Sequence, residues 1–193
     1  MDFSSHELPT IDIIIGPMYA GKSSELIRRL NIYSEMGLKV LYINSILDTR
    51  TSTNFSTHNP VLRSIGKIES KKVDLLMNFM REITTFDVIG IDEGQLFKDI
   101  KTFCITMTER YNKKIIVAGL NGDFKRETFG DILSLIPVCD NITKLFPFCY
   151  TCSINKIIRP APFTKRITED IETIVIGDKA TYIPVCRTCY LQK

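Results

Sequence analysis

Three stretches of this sequence could do chemistry. Residues 16–23 read Gly-Pro-Met-Tyr-Ala-Gly-Lys-Ser. G-x-x-x-x-G-K-[ST] is the pattern of a loop whose backbone N–H groups wrap a phosphate. Gly16 and Gly21 let the chain turn tightly. Lys22 offers a point charge to β- and γ-phosphates, and Ser23 offers a hydroxyl to Mg²⁺. The second stretch, Asp87-Val-Ile-Gly-Ile-Asp92-Glu93, is an apolar run that ends in two acids. Asp92 suits a direct or water-mediated contact with Mg²⁺. Glu93, pointing the other way on a strand, could orient an attacking hydroxyl and take its proton late in a transfer. The pair alone does not choose the nucleophile. A Glu in this place can orient water, and two acids can also simply cap a following helix.

The third stretch is a pair of C-x-x-C motifs, Cys149–Cys152 and Cys186–Cys189, with 33 residues between them (153–185). Four thiolates so spaced suit a closed, tetrahedral, structural Zn²⁺ site. A redox pair or buried free thiols are the alternatives, but the redox reading needs one such motif near a βαβ turn rather than two after a sheet. Cys104 and Cys139 stand alone in apolar settings and read as core residues.

The elements around these residues place them well. Ile11–Ile15 is a β-branched run that reads as a buried strand, followed by a helix over Lys22–Met36 with Leu26, Ile27, Leu30, Tyr33 and Met36 on one face. A strand over Lys39–Asn44 completes a parallel βαβ unit. Ser45–Ser64 is polar and without periodicity. Lys71–Ile83 has helical spacing, Asp87–Ile91 reads as a strand, Gln95–Tyr111 as a helix, Ile115–Gly119 as a strand and Lys144–Phe148 as another. Beyond Phe148 come four of the six cysteines and Pro160, Pro162 and Pro184. We expect an α/β fold, a P-loop NTPase-like parallel sheet flanked by helices over residues 1–148, with a small C-terminal zinc-ribbon or lasso domain over 149–193. In that second domain Ile171–Gly177 and Thr181–Val185 read as two strands joined by a turn. A pinned lid that excludes water favours an alcohol acceptor over hydrolysis.

Bulk properties narrow the classes. The 193 residues suffice for one α/β core and an appendage. The formal net charge is +3, from 25 basic and 22 acidic residues, too small a surplus to argue for a nucleic-acid partner. No apolar run approaches membrane-spanning length, and Met1–Thr10 lacks a signal-like pattern, so a cytoplasmic protein with no membrane partner is expected.

The motifs GPMYAGKS, DTR at 48–50, IGIDEGQ at 89–95, PFTKR at 162–166, IVIG at 174–177, Tyr182 and the two cysteine pairs occur together and in order. They resemble the zinc-containing (type II) thymidine kinases over roughly residues 11–190. The resemblance implies transfer of the ATP γ-phosphoryl group to the 5′-hydroxyl of thymidine. It implies that Gly16, Pro17, Met18, Tyr19, Ala20, Gly21, Lys22, Ser23, Asp48, Thr49, Arg50, Asp92, Glu93, Gly94 and Gln95 contact ATP and its metal, with Ser23 and Asp92 on Mg²⁺ and Glu93 as proton acceptor. Phe124 would stack on thymine. Thr173, Ile174, Val175, Ile176, Gly177 and Tyr182 would line the nucleoside, with Met18, Leu120, Phe129 and Thr164 as apolar walls. Cys149, Cys152, Cys186 and Cys189 would hold zinc. It further implies a homotetramer inhibited by dTTP. Leu96 and Asn121 depart from the residues frequent in that family. Two other classes remain to be weighed. A P-loop motor on nucleic acid needs a second motor domain or a basic stripe, and a zinc-ribbon binding module leaves the phosphate loop unexplained.

Overall fold

The structure, a computed structural model, describes residues 9–48, 68–168 and 181–192. Strand β1 (Ile11–Gly16) is buried at every position. Its side chains alternate, so Ile11, Ile13 and Ile15 enter one side of the sheet and Ile14 the other. After a turn the chain enters helix α1 (Lys22–Glu35). Leu26, Ile27 and Leu30 form its buried stripe, packed with Ile14, Tyr42, Val88, Ile116 and Ala118. Then follow β2 (Val40–Ser45), β3 (Glu69–Val73), the single-turn α2 (Met80–Ile83), β4 (Val88–Ile91), α3 (Ile100–Ile105), β5 (Lys114–Leu120) and β6 (Asn141–Lys144).

The six strands form one parallel sheet in the order β3-β2-β4-β5-β1-β6. Both faces are covered, which is why β1, β2, β4 and β5 read as nearly continuous apolar runs. The face opposite α1 is filled by Phe97, Ile100, Phe103, Met107, Ile132 and Leu135. Parallel strands end together, so the turns after β1, β4 and β5 meet at one edge.

Three expectations from the sequence change here. Lys71–Ile83 is not one helix: Lys71–Val73 belongs to β3, which pairs with β2, and a 3-10 turn (Met77–Phe79) precedes α2. Val73, Leu76 and Ile83 are buried as helical spacing demanded, but a strand and two turns deliver them. The charges of β3 sit on a sheet edge, where they are tolerated; Lys71 pairs with Glu82 and lies over the Phe79 ring. The helix expected from Gln95 starts only at Ile100, because Gly94–Leu96 is a 3-10 turn and Phe97 is extended. It then passes into a π-helical segment, Thr106–Arg110. The last strand of the sheet is Asn141–Lys144 rather than Lys144–Phe148, and Phe148 keeps only an isolated bridge to Pro160.

The C-terminal part is a second, smaller sheet. Helix α4 (Tyr150–Ile154) leads to β7 (Phe163–Arg166), which pairs antiparallel with β8 (Tyr182–Val185), and α5 (Arg187–Leu191) follows. The strand expected over Ile171–Gly177 lies outside the described residues. The buried cluster of this part is small: Cys149, Cys152, Ala161, Val185 and Cys186, with Phe163, Ile183, Cys189 and Tyr190 packed against it. Among the described residues no helix is long and apolar enough to cross a membrane.

The join between α1 and the sheet is tight at Gly90 on β4. A Cβ there would stand 2.4 Å from Cδ1 of the fully buried Leu30. Gly90→Val, favourable for a strand by propensity alone, is therefore expected to lower stability by about 1–3 kcal/mol, read as a lower urea midpoint. An unchanged or raised midpoint would show that α1 has room to shift.

Candidate functional site

The site is assembled at the edge where β1, β4 and β5 end. The loop Pro17–Ala20 follows β1, with Tyr19 in left-handed backbone (φ 65°). Gly21, at φ 79°, occupies the N-cap of α1, a conformation that glycine adopts without strain. Lys22 is buried, and its Nζ donates to the carbonyl of Pro17 at 2.8 Å, so the ammonium is folded over its own loop. The N–H of Met18 donates to Oγ1 of Thr164 at 3.0 Å, a bond from the phosphate loop to β7.

Asp92 follows β4 and is wholly buried. Tyr42 on β2 donates its hydroxyl to Oδ2 at 2.6 Å, and the N–H of Glu93 donates to Oδ1 at 2.9 Å. Burial, and then the charge of Glu93, push the Asp92 carboxyl up to about 6, while hydrogen bonds from Tyr42, Ser23 and the Glu93 backbone pull the other way. Ser23 and Asp92, the two residues expected at Mg²⁺, are thus brought into direct contact. An acid held at this balance favours a cation beside it, since a positive charge relieves both the burial and the repulsion.

Glu93 does not extend the strand as the sequence reading supposed. It adopts left-handed backbone (φ 51°) and caps the 3-10 turn Gly94–Leu96. Oε2 accepts a hydrogen bond from Nε2 of Gln95 at 2.6 Å, and Oε1 of Gln95 accepts one from the N–H of Leu120 at 2.9 Å. Asp48, just past β2, is also buried; its carboxylate accepts from Asn44 at 2.9 Å and its carbonyl from Lys72 at 3.0 Å. Thr49, Arg50 and Thr173–Gly177 lie outside the described residues.

Of the residues expected around the nucleoside, Met18 and Thr164 are joined directly and Leu120 is tied to Gln95. Thr164, expected as an apolar wall, turns its hydroxyl to the phosphate loop. Phe124 and Tyr182 are joined through a residue that the sequence reading did not single out, Arg166. Its guanidinium lies 3.8 Å from the Phe124 ring centroid and 5.0 Å from that of Tyr182, and it also donates to the Tyr182 hydroxyl. The Tyr190 hydroxyl donates to the Phe124 carbonyl at 2.7 Å. Phe129 is half-buried in the loop before Ile132. Tyr42 was missed as well, although a hydroxyl inside the otherwise aliphatic Val40–Ile43 run was the available signal.

The four thiols converge. Their sulfurs all lie within 4.8 Å of one another, with Cys152 3.8 Å from Cys186 and 3.6 Å from Cys189. A tetrahedron of Zn–S bonds near 2.3 Å has edges of about 3.8 Å, so the spacing fits that ion. Donation by the Cys189 backbone N–H draws the Cys186 thiol down to about 6, while burial and the neighbouring thiols push Cys152 up to about 12. Sulfurs this close cannot all ionise without a cation among them. Cys104 is fully buried and burial pushes its thiol far up, as a core residue requires; Cys139 is half-buried.

A sequence model of the thymidine kinase family matches residues 9–190. The chain is 40% identical to the cytosolic thymidine kinase of Bos taurus over 183 residues, 95% of this chain and 72% of that protein. It is 40% identical to the thymidine kinase of Vaccinia virus (strain Western Reserve) over 181 residues, 94% and 96% of the two chains. Against the thymidine kinase of Raccoon poxvirus the identity is 40% over 183 residues, 95% and 97%. Among solved structures, the flagellar accessory protein FlaH from Methanocaldococcus jannaschii is similar over 73% of this chain and 72% of that one, with a TM-score of 0.50 and 19% identity, a likeness of fold alone. A match running from the residues before β1 to α5 takes in both sheets, and the chain belongs to the thymidine kinase family.

Proposed function

We propose that this chain transfers the γ-phosphoryl group of ATP to the 5′-hydroxyl of thymidine, giving dTMP and ADP. One observation carries the reading: Asp92 touches Ser23 of the phosphate loop on one side and the Glu93 backbone on the other, so a held carboxylate stands next to the place where phosphates bind. Gly16–Ser23 cradle the triphosphate through backbone N–H groups, and Lys22 leaves the Pro17 carbonyl for the more negative phosphates. Asp48, Thr49 and Arg50 complete the nucleotide side. Thymidine lies against Met18, Leu120, Phe129 and Thr164, and its base rests on Phe124, which Arg166 steadies from one face. Tyr182 and Thr173–Gly177 close the pocket. Glu93 orients the 5′-hydroxyl and accepts its proton as the bond to phosphorus forms.

Ser23 and Asp92 are the residues that would hold Mg²⁺, which supplies neutralisation of the phosphate charge. Cys149, Cys152, Cys186 and Cys189 would hold Zn²⁺ in a structural role, because the sulfur spacing fits and the five buried residues there are too few to fix a fold unaided. We divide the chain at 148/149 into a nucleotide-binding domain and a lasso domain. A cytoplasmic location, a homotetramer and feedback inhibition by dTTP follow from membership of the family as further parts of this proposal.

The test is ADP formation with a panel of acceptors. Thymidine-dependent ADP is expected, and Glu93→Gln, which keeps the shape and removes the base, should lower kcat by about 10²-fold or more. ADP formation that follows DNA or RNA instead of thymidine would turn the reading to a motor. Near-normal turnover in the variant would remove Glu93 from its role.

The metal has its own test. Purified protein should carry close to one zinc per chain, and Cys152→Ser should raise the thymidine KM more than it weakens ATP binding, since base contacts come from the lasso. Absence of zinc by metal analysis, or equal loss of both substrates, would overturn the structural assignment.

A further inference from the structure

We propose that Gln95 is a positioning residue for the transfer, which aims the Glu93 carboxylate and links it to the wall of the nucleoside pocket; the inference rests on the reading of Glu93 as proton acceptor. Resemblance alone assigns Gln95 to the nucleotide. The geometry points elsewhere. Its amide has one donor end and one acceptor end, and each meets the only type it can satisfy. Nε2 donates to the Glu93 carboxylate, and Oε1 accepts from the Leu120 N–H. A flipped amide would set oxygen against carboxylate and N–H against N–H, so the two partners fix its orientation between them. The residue is 5% exposed, and removal of either bond leaves a buried polar atom unsatisfied.

Both the side chain and the backbone of Gln95 are closely packed, the first against β5 and the second against the loop before Ile132. A Cβ on Gly119 would stand 2.5 Å from Oε1 of Gln95. A Cβ on Gly130 would stand 1.8 Å from the Gln95 carbonyl oxygen, and Gly130 is in left-handed backbone (φ 59°). Strand β5 and the loop before Ile132 thus both give way to Gln95. Glu93 itself sits in a left-handed conformation that is unfavourable for a non-glycine residue and persists only where neighbours hold it. Gln95 holds the carboxylate of that residue. Because Leu120 belongs to the wall expected around the base, one side chain sets both the pocket wall and the direction of the proton acceptor.

The test is a double-mutant cycle in the full chain. Gln95→Met keeps an unbranched chain of similar length and removes both hydrogen bonds. It should lower kcat about 10- to 100-fold, the usual size of an orienting partner's effect, and leave the affinity for a non-hydrolysable ATP analogue within about threefold. In Glu93→Gln/Gln95→Met, kcat should stay within about twofold of Glu93→Gln alone, because an orienting residue acts only through the group it orients. If Gln95→Met does not fold, Gln95→Asn carries the test: it keeps a neutral amide, shortens the side chain by one methylene so that it cannot span Glu93 and Leu120 together, and should show the same loss confined to kcat. Wild-type kcat in the folded variant overturns the proposal. So does a loss that multiplies with that of Glu93→Gln, which marks a general structural defect, or a loss residing in nucleotide affinity, which returns Gln95 to ATP. Full turnover in Glu93→Gln alone is a different failure, that of the proton-acceptor reading itself.

Discussion

A carboxylate with no access to water survives inside a protein only when donors surround it, and Asp92 draws its donors from three parts of the chain. Tyr42 comes from β2, Ser23 from the first turn of α1, and the third donor is the N–H of Glu93. These hold the phosphate loop, the second strand and the turn after β4 in a common register. The parallel sheet brings them to the same edge, but it does not by itself set the 2.6 Å from the Tyr42 hydroxyl or the 2.9 Å from the Glu93 N–H. Everything that follows Asp92 inherits its position from this arrangement, including the left-handed turn at Glu93 and the bridge through Gln95 to β5.

On the proposed reading, the second sheet meets a different need, that of a cover. Phosphoryl transfer to an alcohol must compete with transfer to water, and a cover over the acceptor is the general remedy. A cover with five buried residues has too little apolar area to define its own shape. Here four thiols, converging from α4, α5 and the residues before each, can do what a core would do in a larger domain. The aromatic residues Phe163 and Tyr190, with centroids 5.5 Å apart, and the cation Arg126 over both rings, extend that centre toward the loop carrying Phe124.

How much of this was legible in the sequence varied with the range of the interactions. Strand β1, the phosphate loop and α1 could be read because a β-branched run, two glycines and a helical stripe are all local patterns. The cysteine pairs were equally plain. Strand β3 was not, because Glu69–Val73 is a charged edge strand whose one apolar residue, Val73, happens to fall at helical spacing with those that follow. The start of α3 was misplaced because Phe97 and Ile100 are buried from non-helical and helical backbone alike. In the site, types and positions were legible but partners were not. Gln95 meets Leu120 across 25 residues and Arg166 meets Tyr182 across 16, and such pairings depend on how the strands are ordered. The role of Gly119 and Gly130 as space for Gln95 has no trace in either residue's own neighbourhood.

The hydrogen bond from the Met18 N–H to Thr164 joins the loop that faces phosphate to the strand that leads toward the thiols. Thr164 is separated from Cys186 by little more than the width of a two-stranded ribbon, since it pairs with Pro184 on β8. Any preference that metal occupancy imposed on β7 would reach the phosphate loop along this bond, and thermodynamic linkage would make the effect reciprocal. A nucleotide that orders the loop must hold the metal more firmly by the same factor by which the metal strengthens the nucleotide's grip. An ion held by the four thiols would thereby be linked to the nucleotide by way of one backbone amide.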